Sequence, residues 1–228
     1  MKKITLIGTM HKEIGKCNEN ELHIVLEKIK PDVIFEETQI YKNFLAYTYG
    51  LEPDSPELRA IKKYVQNNNA ECVPVDNLER PKNFNELEEI FAMSIMEKNE
   101  NNKKLYELFD FLSVYMSNNG IEGMNTKYFD NLNLMKQKLC EDYIKKYKIE
   151  NIDKYYEYTN FIYSQREEEM LDTIEEYLNK KEYFNAVFVI GADHRITIID
   201  RLKNLKNIEY DFYYGDIQNK NNKNWRIT

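Results

Sequence analysis

Three histidines, three cysteines, five prolines and a single tryptophan are spread over 228 residues, and each shortage excludes something. Cys17, Cys72 and Cys140 are odd in number, far apart and form no C-x-x-C pair, so neither a disulfide framework nor a zinc ribbon is encoded. They read as ordinary thiols in a reducing compartment. No apolar stretch approaches the roughly 18 residues that a membrane span needs. Met1-Lys2-Lys3 is followed only by Ile4–Ile7 before glycine, histidine and lysine intervene, too short a run for a signal-peptide core, so a soluble, cytoplasmic protein is expected. Basic charge is also short. A net charge of −7 and a pI near 5.2 argue against nucleic acid as a partner, as the missing apolar runs argue against a membrane. P-loop, G-x-G-x-x-G, G-x-S-x-G and H-E-x-x-H signatures are all missing, which removes the commonest nucleotide, hydrolase and zinc-protease readings.

What remains is a folded chain with a polar surface: 42% hydrophobic, 31% charged, mean hydropathy −0.71. Its length suits a single α/β domain over 1–228, one core carrying a large insertion. Lys3–Ile7 reads as a strand and Glu21–Ile29 as a helix with Leu22, Val25, Leu26 and Ile29 on one face. Val33–Phe35 is a second strand. Ser55-Pro56 then opens a helix over Glu57–Val65, with serine as the expected N-cap, and Cys72–Val75 is a third strand. Strand, helix, strand, helix, strand predicts a mostly parallel or mixed central sheet flanked by helices.

From 84 to 183 the period turns helical and proline is missing, so an all-helical insertion precedes the last strands. Leu87, Ile90 and Phe91 begin one helix, Leu105–Met116 forms another, Leu132–Tyr147 a third and Tyr155–Lys181 a long fourth. Asn118-Asn119-Gly120 reads as a break. The sheet resumes with Ala186–Ile190, followed by a helix over Ile196–Leu205 and a last strand over Ile208–Tyr213. Helical hairpins placed this way commonly lid a site. The many tyrosines between Tyr143 and Tyr163 read as core-boundary packing rather than a stacking surface.

Two of the three histidines are spent on one repeated pattern. Ile4–Ile7 ends in Gly8-Thr9-Met10-His11, and Val187–Ile190 ends in Gly191-Ala192-Asp193-His194. A strand that breaks at glycine can turn sharply and carry the third following side chain back over its end. In parallel α/β sheets, ligands sit outside those carboxyl ends. The second strand delivers Glu36 and Glu37 there and the third delivers Asp76. Two imidazoles with one or two carboxylates form the donor set of a divalent metal site, able to polarise a carbonyl and activate water. Side chains alternate along a strand, so only one of Glu36 and Glu37 shares the histidine face.

Arg166 stands in the series Ile162, Arg166, Met170, Ile174, Leu178, an otherwise apolar helical stripe. A guanidinium there needs a partner. Glu36, Glu37 or Asp76 can pair with it, and it can equally bind a substrate carboxylate or stabilise an oxyanion. Asp76 is either a turn or capping residue, or part of the chemistry. With Glu36 it is a candidate to orient a histidine or to take a proton from water.

Taken together, Gly8–His11, Pro31–Glu37, Val73–Asp76, Arg166–Met170 and Gly191–His194 resemble the TraB/Tiki superfamily, which is itself similar to the erythromycin-esterase-like and ChaN-like groups. The resemblance implies an α/β sheet with a helical insertion and a metal-dependent peptidase using manganese or cobalt, with zinc as a further candidate. It implies His11, Glu37 and His194 as metal ligands, Glu37 being six residues past Pro31, and matches Arg166 to an arginine in a helical E-R-x-x-M pattern. Gln165 stands here in place of that pattern's acidic residue. The expected activity is hydrolysis of an amide or peptide bond, in a peptide or a small molecule. Two rivals share the residues: a metal-independent hydrolase of the erythromycin-esterase kind, and a non-catalytic cleft for a peptide or a haem-like ligand.

Overall fold

In a computed structural model of the chain, the described residues are 3–79, 89, 92–93, 100, 102–147, 152–183, 185–202 and 209–212. Five strands, β1 (Lys3–Thr9), β2 (Val33–Glu36), β3 (Glu71–Pro74), β4 (Asn185–Gly191) and β5 (Glu209–Phe212), form one sheet in the order β3-β2-β4-β1-β5. Every pairing among them is parallel. The helices are α1 (Glu19–Ile29), α2 (Ile40–Thr48), α3 (Pro56–Asn67), α4 (Lys103–Met124), α5 (Lys127–Tyr147), α6 (Ile152–Lys180) and α7 (Arg195–Leu202). Among the described residues no helix is long and apolar enough to cross a membrane.

Strand alternation divides the core into two layers. Ile7, Ile34, Val187 and Val189 face α1, α3 and α4, where Leu22, Leu26, Ile61, Leu108 and Leu112 meet them. Ile4, Leu6, Val33, Phe35, Phe188 and Ile190 face α6 and α7, meeting Met170, Ile174, Ile198 and Leu202. Phe35 and Phe188 are fully buried, each contributing roughly 1.5–3 kcal/mol by burial. With both faces covered, β1 and β4 read in the sequence as unbroken apolar runs.

Two helices depart from expectation. Ser55 occupies the N-cap position of α3, but its side chain makes no capping hydrogen bond. The break expected at Asn118–Gly120 is present: Gly120 is non-helical (φ 60°, ψ −153°), so α4 consists of two helical segments that meet there at a kink. The N–H freed at Ile121 donates to Glu21 Oε2 at 2.7 Å, tying the insertion to α1. α2 has no counterpart in the sequence reading. The helix expected from Leu87, Ile90 and Phe91 lies outside the described residues.

Topology decides where the site falls. β4 lies between β2 and β1, so the two Gly-x-x-His strands are neighbours, with Gly8 beside Ile190 and Thr9 beside Gly191. From β2 the chain moves outward to β3, and from the adjacent β4 it moves the other way, past β1 to β5. Connections that diverge from adjacent parallel strands leave a crevice outside their carboxyl ends.

Candidate functional site

The two motif glycines do different things. A Cβ on Gly8 would stand 2.9 Å from Arg195 Cδ, so the missing side chain makes room for a buried arginine. Arg195 reaches across the strand end to both carboxylate oxygens of Asp130 at 2.5 Å and to Asn125 Oδ1 at 3.2 Å. Asn125 closes the circuit: its Oδ1 accepts from the Gly8 N–H at 2.7 Å and its Nδ2 donates to the Gly8 carbonyl at 2.8 Å. These bonds dock α4 and α5 on the end of β1. Gly191 instead faces the cleft. A Cβ there would lie 3.3 Å from Glu37 Oε2, 3.4 Å from His11 Nε2 and 3.7 Å from His194 Cδ2.

Around that glycine the expected residues meet. His11 Nε2 is 4.0 Å and His194 Nε2 is 3.7 Å from the same atom, Glu37 Oε1, so the two ring nitrogens lie no farther apart than those distances combined. Glu37 is buried at the end of β2, on the α6 face set by Val33 and Phe35. Its Oε2 accepts from the Gly191 N–H at 2.6 Å and its Oε1 from Arg166 Nη2 at 2.7 Å. Burial by itself would push the Glu37 carboxyl up; His194, Arg166, His11 and the Gly191 N–H outweigh it and hold the group down at about 2.

Arg166 is buried and grips two carboxylates at once. Nε donates to Asp76 Oδ1 at 3.0 Å and Nη2 to Asp76 Oδ2 at 2.8 Å, beside the bond to Glu37. Burial opposes the guanidinium charge, yet Asp76 and Glu37 raise its pKa further. The structural pairing open in the sequence is therefore the one adopted, with Glu37 and Asp76 as partners. Asp76 is aimed at Arg166 and does not orient an imidazole.

Glu36 needs a correction. The same alternation that brings Glu37 to Arg166 turns Glu36 to the opposite face of the sheet, where Asn43 Nδ2 donates to it at 2.8 Å and the Tyr47 hydroxyl at 3.3 Å. Burial pushes its carboxyl up, against the hydrogen bonds from Asn43, Cys72 and Tyr47. Its hydrogen bonds go to Asn43 and Tyr47 and not to either cleft histidine.

Two further carboxylates, unforeseen in the sequence, do what was expected of Asp76 or Glu36. Glu57, in the first turn of α3, hydrogen-bonds His11 Nδ1. Glu167, beside Arg166 on α6, meets His194 Nδ1 at 2.8 Å. The Glu57 bond raises the His11 pKa against the effect of burial. Tyr163 packs edge-on against His194, with ring centroids 5.1 Å apart, and its face receives the Arg166 guanidinium at 5.7 Å. His194 is thus fixed in the wall, whereas the His11 side chain is 57% exposed and has room to move. The only foreshadowing was local. Glu57 follows a helix start, and Glu167 follows the one arginine of an apolar stripe.

No protein-family model, curated protein or solved structure matches the chain. Its chemistry therefore has to be judged on the donor set itself.

As placed, no group of three His, Cys, Asp or Glu side chains among the described residues closes around an ion. Ligand atoms around a tetrahedral ion with bonds of about 2.0–2.2 Å stand roughly 3.3–3.5 Å from each other. The separations of 3.7 Å for His194 and 4.0 Å for His11 from Glu37 Oε1 exceed this by a few tenths of an ångström, the larger one at the exposed His11. The donor types fit a divalent ion, and the engagement of both Nδ1 atoms by carboxylates is the outer arrangement that metal-binding histidines use. Carboxylates line the cleft: Glu37 and Asp76 meet Arg166, Glu57 and Glu167 meet the two histidines, and Arg201 stands 3.6 Å from Glu167 and 3.3 Å from Glu168.

Proposed function

We propose that this protein is a metal-dependent hydrolase of amide or peptide bonds, similar to the TraB/Tiki superfamily. One observation carries the reading: His11 Nε2 and His194 Nε2 converge on Glu37 Oε1 at the carboxyl ends of adjacent strands while both Nδ1 atoms are held by carboxylates. His11, Glu37 and His194 are the residues to hold the ion, with manganese or cobalt favoured and zinc the alternative. A divalent ion bound there supplies Lewis-acid polarisation of a carbonyl and acidifies water. Arg166 keeps Glu37 ionised and places a fixed positive charge beside the reacting carbonyl, where negative charge develops on oxygen. Asp76 holds that guanidinium in position. Glu167 and Tyr163 fix the His194 ring, and Glu57 stabilises His11 when it carries a proton. The substrate is a peptide or a small amide entering over exposed His11.

A metal-independent hydrolase is favoured by a different observation. Both Glu37 oxygens already have donors, Arg166 and the Gly191 N–H. In that reading His11 Nε2 takes the proton from water and Glu57 steadies the imidazolium. Metal analysis of the purified protein beside His11→Ala and His194→Ala tests the first reading. Manganese, cobalt or zinc retained by the wild type and lost from both variants is the expected result; equal, negligible binding in all three sinks the metal site. Activity on peptides that survives a chelator would select the second.

A further inference from the structure

We infer that Glu57 and Glu167 are positioning residues that hold both imidazoles as the Nδ1–H tautomer, turning two Nε2 lone pairs toward Glu37. The inference rests on the cation-site reading for its purpose, and on hydrogen-bond chemistry for its content.

An ionised carboxylate accepts hydrogen bonds and donates none, so the atom it meets must carry the proton. Glu57 lies in the first turn of α3, where the helix dipole favours an anion, and its Oε1 meets His11 Nδ1. Glu167 on α6 has the Arg201 guanidinium 3.6 Å from Oε2 as counter-charge, while Oε1 meets His194 Nδ1 at 2.8 Å. Each Nδ1 is therefore the donor.

Among the described residues nothing on the opposite side of either ring reverses this. Separations of 4.0 and 3.7 Å from Nε2 to Glu37 Oε1 are beyond hydrogen-bond range, so neither ring gains by moving its proton to Nε2. In the neutral state two ring acceptors then stand 4.0 and 3.7 Å from Glu37 Oε1, the oxygen that Arg166 holds. The pairs are also independent. Glu57 stands on α3 and Glu167 on α6, on either side of the cleft, so each sets one histidine alone.

Long-range 1H–15N correlation spectra of metal-free protein with 15N-labelled histidine read the tautomers directly, at a pH above both imidazole titrations. The wild type is expected to show His11 and His194 in the Nδ1–H form. Glu57→Gln replaces a charge-assisted bond by a neutral one, of roughly half the strength, and should raise the Nε2–H fraction of His11 about tenfold while leaving His194 unchanged. Glu167→Gln should do the converse. An Nε2–H pattern for either histidine in the wild type overturns the inference without recourse to any variant. So does a tautomer ratio that stays fixed in the matching, folded variant. No metal, substrate or turnover enters the measurement, so a protein that proved to bind no metal and hydrolyse nothing would still answer it.

Discussion

Replacing Arg166 by methionine removes the charge on which the buried end of the cleft depends while keeping most of the side-chain volume. The guanidinium makes three charge-assisted hydrogen bonds of 2.7–3.0 Å, two to Asp76 and one to Glu37, and all three side chains are at most 6% exposed. Their removal leaves two carboxylates facing each other without a counter-charge, a change that costs about 3–5 kcal/mol in buried ion pairs. The Glu37 carboxyl, held down at about 2 by His194, Arg166, His11 and the Gly191 N–H against its burial, agrees in direction. The sign follows from the lowered pKa: this stability is fully present above about 4.5 and is lost as pH falls toward about 2. Urea unfolding of wild type and Arg166→Met across that window should therefore show a gap of several kcal/mol at neutral pH that narrows on acidification. A gap below about 1 kcal/mol at neutral pH, or one that stays constant to acid, would refute the argument.

Four more outcomes follow. Glu37→Gln should abolish Mn2+ binding measured by calorimetry, whereas Glu36→Gln should leave it unchanged, because the two side chains occupy opposite faces of the sheet. The Glu36 carboxyl is raised by burial, so wild-type stability should gain as pH falls through its titration, and Glu36→Gln should remove that gain in acid-side urea melts. Gly191→Ala places a methyl 3.3–3.7 Å from Glu37 and both histidines, and should impair Mn2+ binding with a melting temperature near that of wild type. Gly8→Ala pushes on Arg195 at 2.9 Å and should cost about 1–3 kcal/mol in thermal or urea unfolding, as overpacking does.

Much of the framework was decided locally and was therefore legible in the linear chain. Apolar runs at Ile4–Ile7 and Val187–Ile190 mark strands buried on both faces, and β1 and β4 form there. Strand period alone separates Glu36 from Glu37 and helical period alone puts Arg166 among Ile162, Met170 and Ile174, because both are properties of a few consecutive residues. Strand order was not available in this way. That β4 inserts between β2 and β1, bringing Gly8 and Gly191 into neighbouring register, depends on packing contacts about 180 residues apart along the chain. The partners of the histidines belong to the same class. Glu57 is 46 residues from His11, and Glu167 lies on a helix that meets His194 only once α6 covers the sheet. Residue type and period thus determined which side chains a strand or helix presents; the tertiary structure alone decided which of them meet, since a hydrogen bond between distant residues leaves no periodic trace in the sequence.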